Sequence, residues 1–111
     1  MSFVRVCATS DVEPGTALAV SVDDVAVAVV RDGDDWYAVY DECSHAAIPL
    51  SEGEVEGNQI ECWLHGSMFD LRTGKPTNLP ATEPVATFPV DVRDGDVYVD
   101  TETTLNGVTP A

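Results

Sequence analysis

The sequence predicts an all-β protein folded as a single domain, and three observations support this prediction. Short stretches with the period-two alternation of strands recur along the chain, for example at residues 3–7 and 36–40. Glycine, proline and aspartate separate these stretches, as expected for tight turns. No stretch keeps a helical period over three turns. The length of 111 residues suits one domain, since compact domains typically hold roughly 100–150 residues.

The first half of the chain is expected to form a meander of antiparallel strands. The predicted strands span residues 3–7, 16–22, 25–31 and 36–40. The turns between them are expected at residues 13–15, 23–24 and 32–34. Short connections of this composition join antiparallel neighbours, so each strand is expected to pair with the next.

The middle of the chain is expected to combine a hairpin with a long loop. Residues 59–61 predict a strand that follows a Gly-Asn turn at 57–58. Residues 75–84 hold three prolines, each of which removes a backbone donor from any strand ladder. We therefore expect irregular structure over 75–84.

The last part of the chain predicts one more hairpin and a tail. Residues 85–92 and 96–100 alternate as strands do, and the Asp-Gly pair at 94–95 favours the positive φ of a hairpin turn. Beyond them no pattern is sustained. We expect a domain over residues 1–101 and a flexible C-terminal tail over residues 102–111.

The charge balance limits the possible partners. The chain carries 20 Asp and Glu against 5 Lys and Arg, a formal net charge of −15. Such a surface repels nucleic acid and anionic lipids, and it attracts basic protein surfaces. Adaptation to high salt would give the same excess. We expect no nucleic acid and no membrane as partners.

Cysteine usage and apolar runs bear on location. The longest apolar run, 25–30, is far shorter than the ~20 residues that span a bilayer, and no leader pattern precedes the first strand. We therefore expect a cytoplasmic protein, monomeric in solution. Three cysteines do not make a disulfide scaffold. Cys7 alternates within the first strand and is expected to be a buried apolar side chain.

The remaining cysteines and both histidines form two tight pairs, Cys43-x-His45 and Cys62-x-x-His65. Thiolate and imidazole together favour zinc, iron or copper over magnesium or calcium. A tetrahedral zinc site would take all four ligands, although structural zinc sites more often pair cysteine with cysteine. A [2Fe-2S] centre with two thiolates and two imidazoles suits two loops that each offer one cysteine and one histidine.

In these residues the sequence resembles the Rieske-type ferredoxins, the small electron carriers of multicomponent ring-hydroxylating dioxygenases. Their pattern is Cys-x-His, some 15 to 17 residues, then Cys-x-x-His. The resemblance extends to the Leu-Ser-Glu-Gly stretch at 50–53, to the block "ECWLHGSMFDLRTGKP" at 61–76 and to "LPA" at 79–81. It covers about residues 3–100 and implies a Rieske-like fold, stacked small antiparallel sheets with a cluster-binding subdomain formed by two loops.

The resemblance also implies a cofactor and a role. Cys43 and Cys62 would bind the inner iron of one [2Fe-2S] cluster, and His45 and His65 the outer iron, near which redox partners would dock. The protein would be a carrier and not a catalyst. It would pass single electrons from a flavin-containing NAD(P)H reductase to a terminal non-haem iron dioxygenase. The alternatives are a general electron donor, for example to iron–sulfur cluster assembly, and a zinc-stapled interaction module.

Residues beside the ligands bear on the reduction potential, which in the family spans about −150 to +300 mV. High-potential relatives carry a disulfide at the positions of Ile48 and Leu64, and here none can form. Ser67 matches a serine that donates a hydrogen bond to the cluster, whereas Phe69 lacks the phenol of a matching tyrosine. The resemblance therefore implies a low or middling potential.

Two further residues are expected to shape the surroundings of the cluster. Trp63 stands where many relatives have proline, and either shields a cysteine sulfur or packs into the protein. We favour packing, because aromatic side chains bury a large apolar area. Pro80 lies in a segment that resembles the loop covering the cluster, where it is expected to limit access of water.

Overall fold

The computed structural model describes residues 3–43, 48–63, 66–78 and 81–108. In these ranges the chain folds into three antiparallel sheets, as the all-β prediction requires. The helical segments there are two short 3₁₀ turns, and neither is long and apolar enough to cross a bilayer.

The largest sheet has the strand order β2-β3-β4-β8. Its strands are Thr16–Val22 (β2), Val25–Asp32 (β3), Asp35–Tyr40 (β4) and Thr87–Phe88 (β8). Strand β3 pairs on both sides, and its apolar run from Val27 to Val30 is fully buried. A short unbroken apolar run is typical of a strand covered on both faces. The predicted meander is confirmed for β2, β3 and β4.

A second sheet joins the two ends of the domain. It has the order β1-β10-β9, with strands Val4–Ala8 (β1), Val90–Arg93 (β9) and Asp96–Val99 (β10). The prediction that the first strand belongs to the meander is therefore wrong. A 3₁₀ turn after β1 redirects the chain, and the Thr9 amide donates to the Gly95 carbonyl at 2.8 Å.

The predicted strand 85–92 is divided into β8 and β9, which belong to different sheets. Pro89 separates them because it has no amide hydrogen to continue a ladder. The hairpin that follows is confirmed. Its turn residues Asp94 and Gly95 have φ values of +52° and +80°.

The third sheet carries the segment with the second cysteine of the pairs. It has the order β5-β6-β7, with strands Val55–Glu56 (β5), Gln59–Glu61 (β6) and Met68–Asp70 (β7). The predicted turn at Gly57-Asn58 is confirmed, with φ values of +58° and +61°. Strand β7 was not predicted, since three residues are too few to show a period.

Two apolar clusters form the core. One lies under the second sheet and includes Cys7, Val97 and Phe88. Burial and the nearby Asp11 carboxylate raise the pKa of the Cys7 thiol, so Cys7 is the buried apolar side chain that was predicted. The other cluster contains Cys43 and Cys62 and belongs to the candidate site.

The predicted tail makes defined contacts as far as residue 108. The Leu105 amide donates to the Thr87 carbonyl at 2.8 Å. The Asn106 side chain accepts from the Thr87 amide at 3.2 Å and donates to the Val85 carbonyl at 2.7 Å. Residues 109–111 lie outside the described residues. Flexibility of the tail stays a prediction, and these hydrogen bonds argue against it for residues 105–108.

Candidate metal centre

The two cysteines begin loops that are closed in the same way. The Cys43 amide donates to the carbonyl of Ile48 at 2.9 Å, and the Cys62 amide donates to the carbonyl of Ser67 at 2.7 Å. Each hydrogen bond therefore spans five residues. In the second loop the Gly66 amide also donates to the Cys62 carbonyl at 2.9 Å. Each of these two closed segments thus begins with one cysteine.

Both thiols lie in the same apolar cluster. Cys43 is 2% exposed and Cys62 is fully buried. The cluster around them includes the fully buried side chains of Leu50, Ile60 and Phe69. Water is therefore largely excluded from one side of the candidate centre. No disulfide joins these cysteines.

The other predicted ligands cannot be placed in the same way. His45 and His65 lie outside the described residues, as do Leu64 and Pro80. Within the described ranges no three side chains of metal-binding type converge. The two cysteines are therefore the described part of the site. Two buried thiols in one apolar cluster fit a centre that takes two thiolate ligands from the protein.

Asp41 closes the first loop, a role that the sequence analysis missed. Its carboxylate accepts the Ser51 amide and the Ser51 hydroxyl, both at 2.7 Å. These hydrogen bonds join the end of β4 to the 3₁₀ turn Leu50–Glu52. The available signal was a pair of capping-type residues flanking a cysteine loop, since aspartate often accepts hydrogen bonds from backbone amides.

A close backbone approach holds the two loops together. The Glu61 amide donates to the Glu54 carbonyl at 2.9 Å. A Cβ atom built on Gly53 would overlap the carbonyl oxygen of Glu61, so only glycine fits there. Because Gly53 ends the 3₁₀ turn after the first loop and Glu61 precedes Cys62, this contact sets the distance between the loops.

Ser67 is fully buried and its Oγ accepts the Ala81 amide at 3.1 Å. This hydrogen bond ties the second loop to the segment that follows Pro80. Phe69 is fully buried two residues further on. The aromatic ring without a phenol, which the sequence analysis singled out, is therefore part of the wall around the cysteines.

Trp63 does not pack into the protein as favoured above. The side chain is 49% exposed, although it directly follows the fully buried Cys62. The reason is local, because Cys62 occupies the inward position of the loop and its neighbour is left at a turn on the surface. An indole group therefore faces solvent beside the candidate centre.

The surroundings of the centre are acidic. Between residues 41 and 85 the chain holds eight carboxylates and two cationic side chains, Arg72 and Lys75. Arg72 lies 3.5 Å from Asp70. Burial raises the pKa of the Asp70 carboxyl, but hydrogen bonds from Arg72 and Thr73 outweigh it and hold that pKa below its ordinary value. Carboxylates therefore outnumber Lys and Arg four to one along this part of the sequence.

The fold and the site define a small all-β protein that holds two buried thiols in one apolar cluster, with an acidic surface around them. Residues 2–89 match the Rieske [2Fe-2S] domain family, and the chain belongs to that family.

Ferredoxins of dioxygenase systems are similar over nearly the whole chain. Ferredoxin CarAc of Metapseudomonas resinovorans is 45% identical over 98 residues, which cover 87% of this chain and 92% of the relative. The 3-phenylpropionate/cinnamic acid dioxygenase ferredoxin subunit of Escherichia coli (strain K12) is 41% identical over 101 residues, covering 90% and 94%.

Solved structures give the same result. The ferredoxin of carbazole 1,9a-dioxygenase from Nocardioides aromaticivorans IC177 superimposes with a TM-score of 0.84 at 42% identity, covering 89% of this chain and 97% of that one. A complex of reduced oxygenase and oxidized ferredoxin in carbazole 1,9a-dioxygenase contains a chain that matches with a TM-score of 0.81 at 45% identity, covering 87% and 91%.

These relatives decide between the alternatives for the cofactor. The protein is an electron carrier with a [2Fe-2S] cluster, and it is not itself a catalyst. The zinc-stapled module that the residue types alone left open is therefore not supported. The Rieske-like fold predicted from the sequence is confirmed.

Proposed function

We propose that this protein passes single electrons to a terminal non-haem iron dioxygenase, and that four residues hold its cluster. Cys43 and Cys62 bind one iron, and His45 and His65 bind the other. When bound, the cluster supplies one-electron reduction and oxidation. The observation that carries the proposal is that each cysteine amide donates to the carbonyl five residues further on, and that both cysteines lie in one buried apolar cluster.

The residues around the thiols shield one side of the site from water. Leu50, Ile60 and Phe69 exclude water from the buried side. Backbone hydrogen bonds at both cysteines close the segments that would carry the ligands. We propose a low or middling potential, since Phe69 offers no hydrogen-bond donor and Ser67 offers one.

The ligand assignment is tested by electron paramagnetic resonance of the dithionite-reduced protein together with its visible spectrum. A rhombic signal is expected for a two-iron centre with mixed ligation. Each of Cys43→Ser, Cys62→Ser, His45→Ala and His65→Ala should abolish that signal. Cys7→Ser is the matched control, because Cys7 lies in the other apolar cluster, and it should keep the signal. Loss of the signal from the control alone, or its survival in a ligand variant, contradicts the assignment.

The proposed clients follow from the relatives. Two of the compared proteins are ferredoxins or ferredoxin subunits of named dioxygenases, and one structure pairs a ferredoxin with its oxygenase. We propose a terminal dioxygenase as acceptor and a flavin-containing NAD(P)H reductase as donor. A cytoplasmic location suits a carrier that draws on NAD(P)H and keeps its ligand thiols reduced.

Docking of both partners is proposed at the surface around His45 and His65. The half-exposed Trp63 lies between Cys62 and His65 in the sequence, and Glu54 and Glu83 are exposed on neighbouring segments. Small interfaces with charged rims suit transient electron-transfer complexes, because steering speeds the encounter and the small area permits release. The partner surface is expected to be basic.

We propose that the protein is monomeric. The large apolar side chains that are exposed in the described ranges are Val4, Trp63, Val92 and Leu105. Val4 and Val92 lie on strands β1 and β9 at opposite edges of one sheet, Trp63 lies in a loop and Leu105 in the tail, so they are spread over separate elements, whereas a stable dimer buries one large contiguous patch. Sedimentation equilibrium tests this, and a dimer would contradict it.

The second candidate function keeps the cluster and changes the client, with the protein serving as a general electron donor. Reconstitution separates the two. Turnover of a ring-hydroxylating dioxygenase that requires this ferredoxin supports the first function. Failure to support any dioxygenase, with normal reduction by a reductase, favours the second.

A further inference from the structure

Asn78 contacts the second cysteine loop from outside at two points. Its Oδ1 accepts the Met68 amide at 2.6 Å, and its Nδ2 donates to the Gly66 carbonyl at 3.0 Å. These two groups belong to the peptide bonds on either side of Ser67. One side-chain amide therefore fixes both peptide groups that determine the backbone orientation of Ser67.

The surrounding segment supports this arrangement. The Thr77 amide donates to the Met68 carbonyl at 2.7 Å, and the Asp70 amide donates to the Lys75 carbonyl at 2.9 Å. Residues 75–78 thus run alongside β7 and the loop residues that precede it. At the start of β7 and in the loop before it, the side chain of Asn78 forms the hydrogen bonds that a paired strand would otherwise supply.

Ser67 is constrained on its side chain as well. Its Oγ accepts the Ala81 amide at 3.1 Å inside the protein. With a lone pair engaged by that amide, the hydroxyl hydrogen must point elsewhere. Among the described residues the hydroxyl of Ser67 has no acceptor, and a fully buried donor rarely stays without one. The acceptor is expected on the side of the candidate centre, because the Ser67 carbonyl accepts the amide of Cys62 at 2.7 Å.

We propose that Asn78 is a positioning residue that sets the reduction potential of the cluster through Ser67. The Asn78 amide holds the backbone, the Ala81 amide orients Oγ, and the hydroxyl hydrogen is left to donate toward sulfur. A donor to sulfur stabilises the more negative reduced state and raises the potential. The inference rests on the proposed ligand set.

The test is a double-mutant cycle on the measured potential. Asn78→Ala should lower the potential, with a shift in the reduction equilibrium of up to about tenfold, or ~59 mV for one electron. In a Ser67→Ala background the same change should have little effect, because the group through which Asn78 acts is gone. Thr77→Ala is the matched control. It removes only a 3.3 Å hydrogen bond from the hydroxyl to the Met68 carbonyl and should leave the potential unchanged.

A second variant covers the case in which Asn78→Ala does not retain the cluster. Asn78→Asp keeps an acceptor for the Met68 amide and loses the donor to Gly66. Its added charge lowers the potential in both backgrounds, so the difference between backgrounds still isolates the route through Ser67. Equal shifts with and without Ser67, or no shift in either, overturn the inference. An absent rhombic signal in the unmodified protein would instead overturn the proposed ligand set.

Discussion

Asp41 uses both carboxylate oxygens on one neighbour, Ser51, and is itself 9% exposed. It lies two residues before Cys43, so the first loop is closed by a charged acceptor close to its thiol. Hydrogen bonds to charged groups contribute more to stability than neutral ones do. The side chain of Asp41 therefore adds to the backbone hydrogen bond between Cys43 and Ile48 that also closes this loop.

We predict that Asp41→Ala lowers the free energy of unfolding by about 1–3 kcal/mol, because the amide and hydroxyl of Ser51 lose their acceptor in a partly buried site. Asp91→Ala is the control. Asp91 pairs with Arg93 at 2.8 Å on the surface, and exposed pairs contribute about 0–1 kcal/mol. Urea unfolding of both variants measures the difference. An equal loss of unfolding free energy in the two variants would show that the hydrogen bonds of Asp41 contribute no more than a surface ion pair does.

Trp63 leads to a prediction about binding. Trp63→Ala should weaken the complex with the terminal oxygenase about tenfold or more, since exposed tryptophans often anchor interfaces. Leu105→Ala removes another exposed apolar side chain, 65% exposed and in the tail, and should change nothing. Titration calorimetry gives both affinities, and an unchanged visible spectrum confirms that the cluster is intact. Equal affinities for the two variants would place the docking surface elsewhere.

Local patterns sufficed to predict the elements whose partners are adjacent in sequence. Strands β2, β3 and β4 are joined by short turns, so period-two alternation and turn chemistry determined both their extent and their pairing. The pairing of β1 with β10 depends on residues more than 80 positions apart. No local signal distinguishes that partner from β2, because both strands offer the same alternation.

The candidate site was likewise predicted in part, from local sequence patterns, and missed in part. The cysteine and histidine spacing predicted the chemistry, and the structure brings both cysteines into one cluster. The supporting contacts of Asp41 and Asn78 were missed, since an aspartate or an asparagine in a loop has many possible partners. Which of them it meets depends on how two loops and the segment 75–78 fold against each other.

The contact between Gly53 and Glu61 joins the loop elements and leads to a prediction. Gly53→Ala should reduce the cluster content per chain and lower the free energy of unfolding by about 1–3 kcal/mol or more, because its Cβ would overlap the Glu61 carbonyl. The backbone at Gly53 has an ordinary φ of −86°, so the cost is steric. Absorbance of the cluster and urea unfolding measure the two effects.

Gly33→Ala is the control for that variant. Gly33 has a φ of +61° with nothing within 4 Å of an added Cβ, so alanine there adds backbone strain of about 1–2 kcal/mol without a clash. The turn at Gly33 lies in another sheet, and full cluster content is expected. Full cluster content in Gly53→Ala as well would mean that the two loops tolerate a wider separation.

On the scale of the whole molecule, the charge distribution sets two opposing effects of salt. With a net charge of −15 and only five Lys and Arg side chains, the carboxylates within one folded molecule repel one another. Three of those cations, Arg5, Arg72 and Arg93, lie in surface ion pairs, and Arg31 stacks on Trp36 at 5.1 Å. Five cations cannot neutralise 20 carboxylates, so the molecule keeps a large negative charge that acts at long range.

We predict that potassium chloride stabilises the fold while it slows binding to the oxygenase. Between about 0.01 M and 0.15 M salt the Debye length falls from ~30 Å to ~8 Å, which screens both the self-repulsion and the attraction to a basic partner. Relief of even ~1 kcal/mol raises the Tm by about 4–8 °C in a domain near this size. Thermal unfolding and stopped-flow association should thus respond in opposite directions.

Chloride is chosen because sulfate would stabilise by exclusion from the surface. A Tm that is indifferent to salt would mean that the carboxylates are too far apart to destabilise the fold. An association rate that rises with salt would mean that apolar contact at Trp63, and not charge, governs the encounter.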